Sequence, residues 1–256
     1  MNSTRKMNIR RINNEKQEDT CDLIIEEVPL ELFVNYDFYA ALMCTAVEVR
    51  ELAIGFLFCE GILSSINSIK SIEEKYENRI CIVLAHEVIM DSTNVSAITS
   101  GCGNGSVHIK SLEEGSIKSI EHNCKFAIVD ILKLMNEFNS KSELFRQTGG
   151  VHSCCICNDN SLLLFSEDMG RHNALDKVIG KALMVNMGLA DKLVMTTGRI
   201  SSDIIIKVAK AGIQLIASHS APTSLAINIA KAANITIIGF ARGSRMNIYC
   251  NEDRII

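Results

Sequence analysis

The residues best suited to chemistry lie in one loop, Thr99-Ser100-Gly101-Cys102-Gly103-Asn104-Gly105-Ser106. Three alternating glycines leave its backbone with little steric restriction. No apolar neighbour is at hand to bury the Cys102 thiol. A water-accessible thiol on a pliable backbone suits sulfur relay or thiol exchange, in which a thiolate attacks one partner and must then reach another. The same residues also read as a hairpin turn, because Asn104-Gly105 suits type I′ geometry. The two readings are compatible.

A second cluster, His152-Ser153-Cys154-Cys155-Ile156-Cys157, contains a Cys-x-x-Cys. Structural zinc normally needs a second ligand pair at a defined distance, and the only later cysteine is Cys250. The run also reads as a strand, whose alternate side chains point to opposite faces. Small buried side chains, a hydrogen-bonded structural His152 and no metal are therefore expected.

Three strand-to-helix junctions carry polar residues: Glu167-Asp168-Met169-Gly170-Arg171-His172-Asn173, Thr197-Gly198-Arg199-Ile200-Ser201-Ser202, and Ser218-His219-Ser220-Ala221-Pro222-Thr223-Ser224. Helix N-termini present free N–H groups to anions such as phosphate. Several such junctions on one edge of a parallel sheet suggest a phosphorylated ligand. Helix capping by Asp168 or Asn173 is the plainer account of the first. The last strand ends in Phe240-Ala241-Arg242-Gly243-Ser244-Arg245. Two guanidinium groups flanking a glycine can grip phosphate through paired hydrogen bonds; a solvated turn fits the same residues.

The elements that position these groups follow from apolar periodicity. Residues 1–20 show none and read as a loose tail. Short strands follow at residues 23–25, 31–34 and 41–44. Thr45-Ala46-Val47-Glu48 matches a capping box before a helix through Leu52, Ala53, Phe56 and Leu57 that stops at Gly61. A hairpin at 69–72 and 80–84 and a strand at 95–98 lead into the glycine-rich loop. Ile128, Ile131, Leu132, Met135 and Phe138 share one helical face. Beyond them come a hairpin (151–157 and 162–165), a helix through Leu175 to Leu183, and alternating strands and helices: 193–196, 202–211, 213–217, 223–233 and 235–240. The order from residue 125 is α-β-β-α-β-α-β-α-β, and successive αβ units imply parallel strands with right-handed crossovers. The expected division is a tail over 1–20, a β-rich α+β region over 21–124 bearing Cys102, and an α/β region over 125–256.

Composition sets the outer bounds. The 256 residues are 47% hydrophobic, with 26 Lys+Arg against 30 Asp+Glu and a net charge of −4. A chain of this size buries about 73% of its unfolded surface, enough for a full core, and general disorder is excluded. The charge argues against a general nucleic-acid or membrane-surface binder. No run approaches the ~18 apolar residues of a membrane span. No apolar segment follows the basic residues of the N-terminus, so a cytoplasmic protein is expected. Its 10 cysteines then read as reduced thiols.

These stretches together resemble the FdhD/NarQ family, the formate dehydrogenase accessory sulfurtransferases. The resemblance runs from about Glu27 to the C-terminus. It is carried by Val28-Pro29-Leu30-Glu31-Leu32, Leu42-Met43-Cys44-Thr45, Glu51-Leu52-Ala53-Ile54-Gly55-Phe56-Leu57, Thr148-Gly149-Gly150-Val151-His152, the stretch from Glu167 to Lys177, Thr197-Gly198-Arg199-Ile200-Ser201, Ala221-Pro222-Thr223-Ser224-Leu225-Ala226 and Gly239-Phe240-Ala241-Arg242-Gly243. It implies a cytidine-deaminase-like three-layer α/β/α domain behind a smaller β-rich N-terminal α+β domain. It further implies a homodimeric sulfur carrier that takes sulfur from a cysteine desulfurase as a persulfide on Cys102. That sulfur would pass to the molybdenum (or tungsten) bis-guanine-dinucleotide cofactor of formate dehydrogenase. The cofactor's guanine nucleotide would bind at Phe240, Ala241, Arg242, Gly243, Ser244 and Arg245, with GDP as a mimic. Arg171 and His172 stand as secondary phosphate candidates.

Two departures follow. Many relatives carry Cys-Gly-x-Cys in the loop, whereas here the second position is Gly105; a one-cysteine relay remains chemically sufficient, and a non-catalytic cofactor chaperone is the alternative. Zinc deaminases need His-x-Glu and then Pro-Cys-x-x-Cys. Here the matching positions read His172-Asn173-Ala174 and Gly198-Arg199-Ile200-Ser201, so hydrolytic deamination is excluded.

Overall fold

The computed structural model describes residues 3–74, 78–86, 97–98 and 124–256. The chain opens with a hairpin, β1 (Thr4–Asn13) and β2 (Lys16–Ile25), paired antiparallel along its whole length. This replaces the loose tail expected over residues 1–20. Both faces of the ribbon are largely solvated, so no apolar alternation marks it. Cross-strand ion pairs line it instead: Arg10 with Asp19 at 2.9 Å and Arg11 with Glu18 at 3.6 Å.

Strand β3 (Glu27–Val34) pairs antiparallel with β4 (Asp37–Thr45). Helix α1 (Val49–Glu60) follows and ends at Gly61, whose φ of 84° supplies the left-handed cap. Strands β5 (Ile69–Glu74) and β6 (Arg79–Leu84) form the expected hairpin. Only Ala97–Ile98 of the next strand, β7, is described, pairing parallel to β4. The sheet order is β5-β6-β3-β4-β7. Leu30, Leu32, Leu42, Ile80 and Ile82 pack on Leu52, Phe56 and Leu57 of α1. The expected capping box does not form. Glu48 adopts a left-handed conformation before α1 with no side-chain cap, and Thr45 spends its hydroxyl elsewhere.

The second half begins with α2 (Ile128–Lys141) and a short α3 (Glu143–Thr148) absent from the sequence reading. Strands β8 (His152–Cys157) and β9 (Leu162–Asp168) make a hairpin, and α4 (Arg171–Met184) follows. Then come β10 (Leu193–Thr196), α5 (Ser202–Lys210), β11 (Leu215–Ser218), α6 (Ser224–Ala233), β12 (Thr236–Arg242) and β13 (Arg245–Cys250). The six-stranded order is β13-β12-β11-β10-β8-β9, with β10, β11 and β12 parallel.

One face of this sheet, including Cys155, Cys157, Met195 and Ala217, is covered by Leu134, Met135 and Phe138 of α2. The other, including Cys154, Ile156, Val194, Ile216 and Ile237, is covered by α4, α5 and α6. This is the three-layer α/β/α arrangement with the deaminase-like strand order. The sulfurs of Cys154 and Cys157 belong to opposite faces, so that Cys-x-x-Cys cannot chelate one ion. Burial pushes the Cys154 thiol up. Strand β13 was also missed, although Met246, Ile248 and Cys250 alternate along it.

The two halves meet where α1 crosses α4. A Cβ on Gly55 would stand 1.8 Å from the Asp176 carbonyl oxygen, and one on Gly180 would stand 1.9 Å from that of Glu51. The two helix backbones are in direct contact, and only glycine fits.

Candidate functional site

Strand direction gathers the site. Because β8 runs opposite to β10, and β9 opposite to β8, a single sheet edge collects six strand ends: His152, Asp168, Thr196, Ser218, Arg242 and Arg245. All three polar junctions and the Phe240–Arg245 segment therefore open on one side, as the sequence suggested.

The loops along this edge are laced to one another. Ser218 Oγ donates to the Gly198 carbonyl (2.6 Å), and Ser220 N donates to Ser218 Oγ (2.9 Å). Ile200 N binds the Ala221 carbonyl (3.1 Å), Thr223 N that of Ile200 (3.0 Å) and Phe240 N that of Ser220 (3.2 Å). Arg242 Nε reaches back to the His219 carbonyl at 3.2 Å. Phe240 itself sits at a φ of 51° and is 38% exposed as a residue. A Cβ at Gly239 would stand 2.9 Å from Tyr249 Cε2, 3.0 Å from the Ser220 carbonyl oxygen and 3.1 Å from Pro222 Cδ, so the position is tightly packed. Arg242 through Arg245 form the solvated turn between β12 and β13, so the turn reading and the ligand reading coexist.

At the first junction the structure separates support from display. Asp168 is fully buried. Its carboxylate accepts from Thr45 N (3.1 Å), Thr45 Oγ1 (3.0 Å), Gly170 N (2.9 Å) and Asn173 Nδ2 (2.9 Å), and it pairs with Lys177 Nζ at 2.6 Å. Lys177, also fully buried, donates to Thr45 Oγ1 (2.7 Å) and the Glu167 carbonyl (3.2 Å). Asn173 reaches the Met43 carbonyl at 2.8 Å. This network clamps the end of β4 to the start of α4. It was invisible in the sequence, where a lysine on a helix reads as surface.

Beside the clamp lie the residues turned to the edge. Thr197 Oγ1 accepts from Ser153 N (3.0 Å) and meets His152 Nδ1 at 3.2 Å, so the hydrogen-bonded His152 reading holds. Thr197 donating to Nδ1 satisfies both groups, with the ring proton on Nε2. Burial, then the charges of Arg171 and Arg199, lower the His152 pKa. His172 lies 3.9 Å from Asp203, yet burial, Lys207 and Arg171 push its pKa down to about 3. Its pKa thus falls from 6.5 to about 3, so the folded ring stays neutral where the unfolded one takes a proton, and stability drops as pH falls through that window. In ¹³C-labelled protein, the His172 ring resonance is expected to stay fixed from pH 8 to pH 5. A midpoint near 6.5 would contradict this.

His219 is likewise held below its usual value by burial and Arg242. The edge therefore presents neutral imidazoles among the permanent charges of Arg171, Arg199, Arg242 and Arg245. Asp168 is committed to Lys177, and Asp203 is raised by burial. A chain of net charge −4 thus carries a locally cationic edge suited to anions.

Cys102 lies outside the described residues, as do its loop and the turn reading made for it. All nine described cysteines are free thiols.

These features define a three-layer α/β protein whose sheet edge is lined by arginines and by histidines held below their usual pKa. The model of the FdhD/NarQ family matches residues 25–256, and the chain belongs to that family. It is 35% identical over 252 residues to a protein of Listeria monocytogenes named sulfur carrier protein FdhD, spanning 96% of this chain and 97% of the relative. A protein of the same name from Bacillus subtilis is 37% identical over 238 residues, covering 91% and 90%. A solved structure described as a formate dehydrogenase accessory protein, from Desulfotalea psychrophila, superposes with a TM-score of 0.83 at 25% identity over the whole of both chains. Among the described residues, no helix is long and apolar enough to cross a membrane.

Proposed function

We propose that this chain is a sulfur carrier serving formate dehydrogenase. A cysteine desulfurase hands it a sulfur atom on Cys102, and the chain passes that sulfur to the molybdenum (or tungsten) bis-guanine-dinucleotide cofactor, its substrate. In the first step the Cys102 thiolate attacks the outer sulfur of the desulfurase persulfide. One S–S bond forms as another breaks, the desulfurase leaves as a thiolate, and no net oxidation occurs. The reading includes a homodimer working in the cytoplasm, where thiols stay reduced.

The observation that carries it is the cationic edge, where Phe240 to Arg245 supply an exposed aromatic residue and two guanidinium groups. That edge suits a guanine nucleotide, and the names of the relatives supply the sulfur chemistry.

Intact-protein mass spectrometry after incubation with a desulfurase and cysteine tests the role of Cys102. A gain of about 32 Da is expected, since one sulfur adds to the thiolate. The gain should be lost in Cys102→Ala, which should keep GDP binding yet fail to activate formate dehydrogenase. A wild-type chain that binds GDP but gains no mass would instead be a cofactor chaperone, the reading favoured by Gly105 in the second cysteine position.

A further inference from the structure

We propose that Arg171 is the second jaw of a pyrophosphate clamp, gripping the outer phosphate of a nucleoside diphosphate whose inner phosphate is held from the Arg242 side. The inference rests on the nucleotide reading above and adds to it a residue that discriminates between one phosphate and two.

The geometry comes from two arginines that cross neighbouring strand ends. Arg171 lies flat over Gly198: a Cβ placed on that glycine would stand 2.8 Å from Arg171 Cβ and 3.1 Å from its Cδ. No positive φ requires glycine there, so the residue is bare because an arginine stem crosses it. Gly198 follows the end of β10, and the stem therefore runs across the mouth of that strand. From the opposite side, Arg242 at the end of β12 bends back onto the His219 carbonyl, beyond the end of β11. The strand ends they cross, β10 and β11, are neighbours in the sheet, about one strand spacing apart, ~5 Å, a gap that a pyrophosphate can bridge.

The helix ends support the same position. α6 is capped by its own Thr223, whose hydroxyl accepts from Ala226 N at 3.2 Å. Neither α4 nor α5 has a side-chain cap, and both begin beside Arg171. Ser201 Oγ, at the start of α5, and His172 Nε2, in the first turn of α4, are buried without a hydrogen-bond partner. Of the three helix starts on this edge, α5 carries no side-chain cap and can receive an anion, while at α4 the Asp168 carboxylate already takes Gly170 N. Burial, with the charge of Arg171 adding to it, lowers both neighbouring histidines, which keeps their rings from adding charge beside the guanidinium.

The test compares GDP with GMP by titration calorimetry on the full chain. Arg171→Gln is expected to weaken GDP about tenfold and to leave GMP within twofold. Arg171→Lys should recover part of the GDP preference, because charge returns without the fork. Arg242→Gln should weaken both nucleotides. Gly198→Ala keeps the charge but displaces the stem, and it should lower the GDP to GMP preference in the same direction. Circular dichroism confirms that each variant is folded. An unchanged GDP to GMP ratio in Arg171→Gln, with wild type binding GDP, overturns the clamp alone. Wild type that binds neither nucleotide overturns the clamp and the nucleotide reading together.

Discussion

Replacing Lys177 by methionine is expected to cost ~3–5 kcal/mol of stability, seen as a lower urea midpoint at an unchanged slope. The lysine and Asp168 are both fully buried and 2.6 Å apart. Removing the ammonium leaves a carboxylate sealed from water with only neutral donors. Asp168→Leu alone should cost a similar amount, since it strands the lysine. The double substitution should cost clearly less than the sum of the two, because neither uncompensated charge then remains. Strict additivity would show that the pair does not act as a unit. The clamp also joins Thr45 to the start of α4, so the single variants should loosen the corner beside Arg171.

The second large effect is expected at the helix crossing. Gly180→Ala and Gly55→Ala each place a methyl group less than 2 Å from a carbonyl oxygen of the opposing helix. Overpacking among side chains typically costs about 1–3 kcal/mol; here the obstacle is backbone, which cannot move aside by changing rotamer. Both variants are expected to lose soluble, cooperatively folding protein. Gly188→Ala is the matched control, with nothing within 4 Å of its added Cβ, and it should fold like wild type. A cooperative transition at the wild-type midpoint in Gly180→Ala would show that the helices can separate freely.

Much of the second half was legible because its elements are buried on a regular period. β10, α5, β11, α6 and β12 alternate apolar runs with amphipathic ones, and the structure places them near the expected bounds. The hairpin over residues 4–25 was not legible. Its faces are both wet, so its order rests on the antiparallel backbone ladder, with Arg10–Asp19 and Arg11–Glu18 adding little at the surface, a register that period alone does not reveal. Thr45 was misread for a related reason. Thr-x-x-Glu is a local signal for capping, and a long-range demand from Asp168 and Lys177 overrode it. The anion-receiving edge was legible as a set of junctions, because strand ends followed by helix starts announce themselves by hydroxyl, Gly and Pro. Its wiring was not: the crossing of Gly198 by Arg171, and the bend of Arg242 onto His219, depend on which strands are neighbours.

The lacing of the edge loops has a thermodynamic corollary. Segments already tied to one another by Ser218, Ile200, Thr223 and Phe240 have surrendered their wandering before any guest arrives. Docking should therefore proceed as a rigid fit, fast and with scarcely any backbone ordering left to oppose it.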